Sequence, residues 1–224
     1  MQNRYGVPSD KIARIFNPLD LSQWQPLKRE IARQNLGFSP EAQIIVYHGR
    51  IDIHRKGLDI LLQSWQQICQ DGADQNLQLL LVGTGTDAQK LSQMIEKMGV
   101  PGVMWVNQYI NNKAMIREYL SASDIYVLPS RHEGFPVAPL EAMACGLPVV
   151  ATEAPGVPDI FAQGEASGGI VVPCEDVSAL VKALIGLLEN QQGREKLGAN
   201  ARRRVESHFA LDVIGEQLKN FLLR

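Results

Sequence analysis

The chain has 224 residues, 45% of them hydrophobic and 21% charged, with 22 Lys and Arg against 24 Asp and Glu. This is ordinary globular composition, which excludes disorder, collagen and low-complexity architectures. A formal net charge of -2 gives no basis for nucleic acid as the main partner.

The first 40 residues differ in pattern from the remainder of the chain. Residues 11–16 form a lone strand candidate, Asn17-Pro18-Leu19-Asp20 is a turn signal, and residues 21–36 suit a helix with Pro26 near its start. Residues 1–40 read as a lead-in from something upstream, and residues 41–224 as one nucleotide-binding domain. Strands are expected at 42–48, 77–82, 102–106, 125–128, 149–151 and 169–172. Helices are expected between them at 58–69, 87–98, 113–121 and 139–144. In the first of these, Leu58, Leu61, Leu62, Trp65 and Ile68 recur at helical spacing. Three helices close the chain, at about 176–189, 194–207 and 211–222. The strands are apolar at successive positions rather than alternating, the pattern of strands covered on both faces. Strand and helix in alternation predict a doubly wound, Rossmann-like parallel α/β sheet of about six strands.

Cys69, Cys145 and Cys174 are widely spaced, with no C-x-x-C pair and no His/Cys ligand cluster. Neither a disulfide framework nor a structural zinc is supported, and a reducing compartment is expected. The longest apolar runs, Ile44-Ile45-Val46-Tyr47 and Leu79-Leu80-Leu81-Val82, fall far short of the ~20 residues of a membrane helix. Met1-Gln2-Asn3-Arg4-Tyr5-Gly6 lacks the apolar core of a signal peptide. A cytoplasmic protein is the expectation.

Open parallel sheets bind ligands beyond the carboxyl ends of their strands. After the first strand, Gly49 and Arg50 begin a loop that reaches Lys56 and Gly57 before a helix. Two cations near a helix start suit a diphosphate, and equally a solvated basic loop. After the second strand, Gly83-Thr84-Gly85-Thr86-Asp87-Ala88 fits the G-x-G-x-x-A dinucleotide fingerprint. The acidic ribose ligand that should follow ~20 residues later is missing; Val106-Asn107-Gln108 stands there. A turn packing near some other nucleotide ligand fits better, and a nicotinamide-dependent oxidoreductase is the alternative. After the fourth strand, Glu133 lies in a loop and Glu141 in the following helix, among apolar Leu140, Ala142, Met143 and Ala144. Carboxylates there can accept hydrogen bonds from sugar or ribose hydroxyls. His48 at a strand end suits burial as well as function, and Arg202-Arg203-Arg204 suits a solvated helix face better than a lipid contact. No GxxxxGK[ST] loop and no D-x-D metal clamp occurs in the sequence.

Together these stretches resemble the carboxy-terminal, donor-binding domain of GT-B glycosyltransferases, most closely the retaining "group 1" enzymes of family 4. Four segments carry the resemblance: Ile15-Phe16-Asn17-Pro18-Leu19-Asp20, Gly49-Arg50 with Lys56-Gly57, Leu81-Val82-Gly83-Thr84-Gly85, and the E-x7-E region from Pro129 to Ala151 with Glu133 and Glu141 as its pair. The resemblance implies that Arg50 and Lys56 hold the donor diphosphate, that Glu133 binds hydroxyls of the transferred sugar, and that Glu141 binds the ribose. It places Gly134, Phe135, Val137 and Gly49 around the donor, and the region of Asn107 and Tyr109 at the base. The implied reaction is transfer of a hexosyl group from a nucleotide-diphosphate sugar with retention, needing no cofactor and no essential metal.

Two positions depart from the family pattern. Pro136 replaces the second glycine of Gly-Phe-Gly and has no N–H to donate. Asp159 replaces a glutamate. The resemblance also implies an amino-terminal acceptor domain absent from this chain, so the chain is expected to be part of a longer or split enzyme and inactive alone. The acceptor is a glycan, lipid or small molecule, with peripheral membrane contact as one consequence. A non-catalytic Rossmann-like binding module is the remaining alternative.

Overall fold

The computed structural model describes residues 6, 8–70 and 76–223. Residues 1–5, where a signal peptide would begin, lie outside them. The fold is a six-stranded parallel sheet: β1 (Gln43–His48), β2 (Leu77–Val82), β3 (Val103–Val106), β4 (Ile125–Leu128), β5 (Val149–Thr152) and β6 (Gly169–Val172). Its order is β3-β2-β1-β4-β5-β6. The chain winds outward from β1 in one direction, then from β4 in the other, so the crevice for a ligand opens beyond the ends of these two central strands.

Both faces of the sheet are buried, as the continuous apolar runs predict. Ile44 and Val46 of β1 join one core with Leu80, Tyr126 and Val149; Ile45 and Tyr47 join the other with Leu79, Ile125 and Val150. The first core is covered by α1 (Arg29–Leu36), α5 (Lys113–Ala122), α6 (Ala138–Ala144) and α9 (Gln191–His208). The second is covered by α3 (Leu58–Gln70), α4 (Ala88–Met98) and α8 (Val177–Leu188). Short turns α2 (Ile53–Lys56) and α7 (Val157–Ile160) lie between strands and helices, and α10 (Leu211–Leu222) ends the described chain. Side chains cap several helix starts: Asp52 accepts from Arg55 N, Asn112 from Ala114 N, Asp176 from Ala179 N and Asn190 from Gly193 N. The last of these caps starts α9 three residues before the position expected from the sequence. No helix among the described residues is long and apolar enough to cross a membrane.

Two expectations for the first 40 residues fail. Residues 11–16 are not a strand. Their side chains are satisfied individually: Phe16 stacks on Phe135, and both nitrogens at the tip of Arg14 donate to Asp159. The one backbone bridge nearby joins Leu19 to Ala210. The helix expected over 21–36 is confined to Arg29–Leu36. Pro26 has no N–H to donate and biases Gln25 towards extended backbone. Residues 21–23 form a turn and residues 24–28 have no regular structure, with Trp24 buried and Leu27 N donating to Ser121 Oγ at 3.0 Å.

At the amino ends of β1 and β4, Asp124 is buried between strand and helix. It accepts from Ile44 N and from Arg33, both at 2.8 Å, and forms an ion pair with Arg29 at 3.0 Å. Arg33, itself buried, also donates to Ala122 O and Pro40 O. This network sits at the end of the sheet opposite the crevice.

Candidate functional site

The loops after β1 and β2 lock together through backbone. Gly49 N donates to Val82 O, and Ile51 N to Thr84 O, both at 3.0 Å. Tyr47 OH donates to Arg50 O at 2.8 Å. A Cβ on Gly83 would lie 2.0 Å from Gly49 O, and one on Gly85 would lie 2.2 Å from Ile51 O. The glycines of the G-x-G-x-x-A match therefore seat one loop on the other. Their close approach is to protein backbone, and not to an open phosphate cradle. Asp87 of the same motif accepts from Ile53 N at 3.0 Å, which holds its carboxyl below the usual range.

Past β4, the loop carrying Glu133 folds back onto α2. Lys56 Nζ lies 2.7 Å from Glu133 Oε1, and Ser130 Oγ donates to the same oxygen at 2.7 Å. The Glu133 side chain is 6% exposed and that of Lys56 20%. The structure thus brings these two expected site residues together as a nearly buried ion pair. Either group becomes free to meet a ligand only by opening or sharing that pair.

Arg131 clamps the same loop. Its guanidinium meets both oxygens of Asp59 at 2.8 Å, Glu175 at 2.7 Å and the carbonyl of His54. Burial works to raise the Asp59 carboxyl, but the hydrogen bonds and charge of Arg131 outweigh it and hold the group below its ordinary value. A carboxyl depressed by folding stabilises above its unfolded pKa of ~3.9, and that contribution is lost as pH falls through the folded value. Urea denaturation between pH 7 and pH 3 is expected to show this loss in the wild type. Asp59→Asn should be less stable at pH 7 and flatter at the acid end; an unchanged acid limb would contradict the assignment.

A cavity of about 410 Å³ opens at the carboxyl ends of β1 and β2 and under α6. It collects Gly49, Arg50, Tyr109 and Glu141 from the expected site residues. Arg50 is exposed on its rim, and Tyr109 is 83% exposed. The cavity does not include Lys56, Glu133, Gly134, Phe135, Val137 or Asn107 in its lining. Phe135 instead joins an aromatic cluster with Phe16 and Phe209, its ring 4.8 Å from that of Phe16. The N-terminal segment thereby braces the loop of Gly134, Pro136 and Val137.

Sequence reasoning missed Trp24, Asn111, Lys113 and Ile116, which also line the cavity. No spacing pattern connects them to it. It also missed the partner of Glu141: His48 Nε2 lies 2.7 Å from Glu141 Oε2. The one available signal was a histidine directly before Gly49-Arg50. The Arg202–Arg204 triplet divides, correcting the reading of one solvated face. Arg202 donates to Ala144 O and Trp24 O, and Arg204 to Ile160 O, so both satisfy carbonyls inside the fold. Arg203 alone is exposed. Among the described residues no group of three or more His, Cys, Asp or Glu is placed to hold a metal.

The family model for "Glycosyl transferases group 1" matches residues 28–204. The chain belongs to the group 1 glycosyltransferases. The match takes in all six strands and both glutamates of the E-x7-E region.

One curated relative is the GDP-mannose-dependent monoacylated alpha-(1-6)-phosphatidylinositol monomannoside mannosyltransferase of Corynebacterium glutamicum. It is 31% identical over 223 residues, which cover 96% of this chain and 55% of the relative. Among solved structures, sucrose-phosphate synthase from Thermosynechococcus elongatus superposes with a TM-score of 0.81 at 29% identity, over 93% of this chain and 51% of that one. Anabaena Alr3699/HepE in complex with UDP superposes with a TM-score of 0.83 at 22% identity, over 97% of this chain and 58% of that one, and shows a shared fold. The chain spans about half the length of the curated relatives it matches.

Proposed function

We propose that this chain is the donor-binding half of a retaining hexosyltransferase that uses a nucleotide-diphosphate sugar. The observation that carries the reading is the cavity where Gly49, Arg50 and Glu141 meet at the ends of the central strands in a group 1 glycosyltransferase. Glu141 accepts from the ribose hydroxyls. The base lies towards Tyr109 and Ile110. Arg50 reaches the diphosphate from the rim, and Lys56 reaches it when the pair with Glu133 opens.

As the bond between sugar and diphosphate breaks, negative charge grows on the leaving group. Two cations stabilise that charge without a metal. Glu133, released from Lys56, accepts from hydroxyls of the sugar. HepE was solved with UDP, and the mannosyltransferase is named for GDP-mannose; both ligands contain a nucleoside diphosphate. Residues 1–40 lead in from an acceptor-binding domain, and the chain by itself turns over little, because transfer needs both substrates held in a closed site.

Thermal denaturation with UDP, GDP, ADP and NAD tests this. At ~100 times the dissociation constant a ligand adds ~2.7 kcal/mol, a rise of roughly 5–10 °C for a domain of this size. The expected result is a rise with one nucleoside diphosphate that is lost in Arg50→Ala and Glu141→Ala. A rise with NAD alone would overturn the proposal.

A further inference from the structure

We infer that His48 is a positioning residue for nucleotide binding, one that fixes the Glu141 carboxylate in the orientation that receives the ribose. The inference rests on the donor-site reading above. His48 is the last residue of β1, and its side chain is 8% exposed. Its ring packs edge-on to that of Tyr126, with centroids 5.4 Å apart at 66°, and Tyr126 OH donates to the His48 carbonyl. The imidazole is therefore held by the rigid centre of the sheet.

Nε2 lies 2.7 Å from Glu141 Oε2, while Nδ1 is buried without a hydrogen-bond partner among the described residues. An orphaned buried N–H is costlier than an orphaned lone pair, so the proton belongs on Nε2, which donates to the carboxylate. Among the described residues no other hydrogen bond is made to the Glu141 carboxylate. Oε1 is thus the oxygen left for a ligand, and both residues line the cavity. An unrestrained glutamate spreads over many rotamers, and a ligand that orders it loses affinity in doing so. The histidine removes that disorder before the nucleotide arrives.

The role requires a donor at the Nε2 position, not a ring. Gln places an amide N–H near that position; Leu fills the space and offers none. Calorimetric titration would use whichever of UDP, GDP and ADP binds, together with its 2′,3′-dideoxy analogue. His48→Leu is expected to weaken the ribonucleotide about tenfold, with the dideoxy analogue unaffected. His48→Gln should restore most of the loss. In a Glu141→Ala background, His48→Leu should add nothing further.

Unchanged ribonucleotide affinity in His48→Leu, while Glu141→Ala loses it, overturns the inference alone. So does an equal loss for both nucleotides, which marks a general structural role, or a failure of Gln to rescue. No binding of any of the three nucleotides by the wild type, or Glu141→Ala binding like the wild type, overturns the donor-site reading and the inference with it.

Discussion

Lys56→Ala is expected to destabilise the chain by about 3 kcal/mol, the lower end for breaking a buried ion pair by removing one partner. The charge left behind is that of Glu133, whose side chain is 6% exposed and, among the described residues, keeps only Ser130 Oγ as a donor. Such a loss lowers the melting temperature by roughly 6–12 °C in a domain of this size. Glu133→Gln in the same background removes the stranded charge and should recover most of the stability. Function separates from stability in that pair of variants. The double variant, though folded, should bind its nucleoside diphosphate at least about tenfold more weakly, since a charge-assisted contact to the diphosphate is gone. Urea denaturation of wild type, single and double variants measures the first effect, and titration of the double variant the second. Equal instability of single and double variants would show that Lys56 stabilises through its aliphatic stem alone.

Asp124→Ala should cost still more, about 3–5 kcal/mol, and should leave nucleotide binding of the folded protein unchanged. Its side chain is 5% exposed and that of Arg33 7%. Removing the carboxylate leaves the Arg33 guanidinium buried with carbonyls for partners, and it orphans Ile44 N in the central strand. Asp124→Asn keeps an acceptor for Ile44 N and should fall between wild type and alanine. Arg29, whose side chain is 46% exposed, touches the same carboxylate; Arg29→Ala should cost under ~1 kcal/mol, as screened surface pairs do. Denaturant midpoints of the three variants check the order. An Asp124→Ala protein within about 1 kcal/mol of wild type would contradict the assignment of this network as a buried anchor.

The site was legible to different depths. The order of segments Gly49-Arg50, Lys56-Gly57 and Glu133 to Glu141 pointed to one edge of the sheet, because residues after parallel strands collect there; Gly49, Arg50 and Glu141 line its cavity, and their chemistry as a donor site is the proposal. Pairing was not legible. Lys56 and Glu133 are 77 positions apart and His48 and Glu141 are 93 apart. Nothing local to either residue of a pair announces the other. The dinucleotide-like fingerprint shows the converse. Its glycines are required, but the backbone they admit belongs to Gly49 and Ile51 of the neighbouring loop.

What the amino-acid sequence determined by itself is the layered α/β architecture. Burial on both faces forces each strand to be apolar at successive positions, and a helix covering a sheet must repeat its apolar residues at helical spacing, so both patterns are written locally. The first 40 residues escaped that logic. The lone strand and the long helix suggested there were overridden by Pro26 and by the partners that Phe16, Arg14 and Leu27 find elsewhere in the chain. Tertiary structure alone decided which charges face each other in the crevice. An ion pair or hydrogen bond acts over a few ångströms, and only folding brings groups so distant in the chain within that reach.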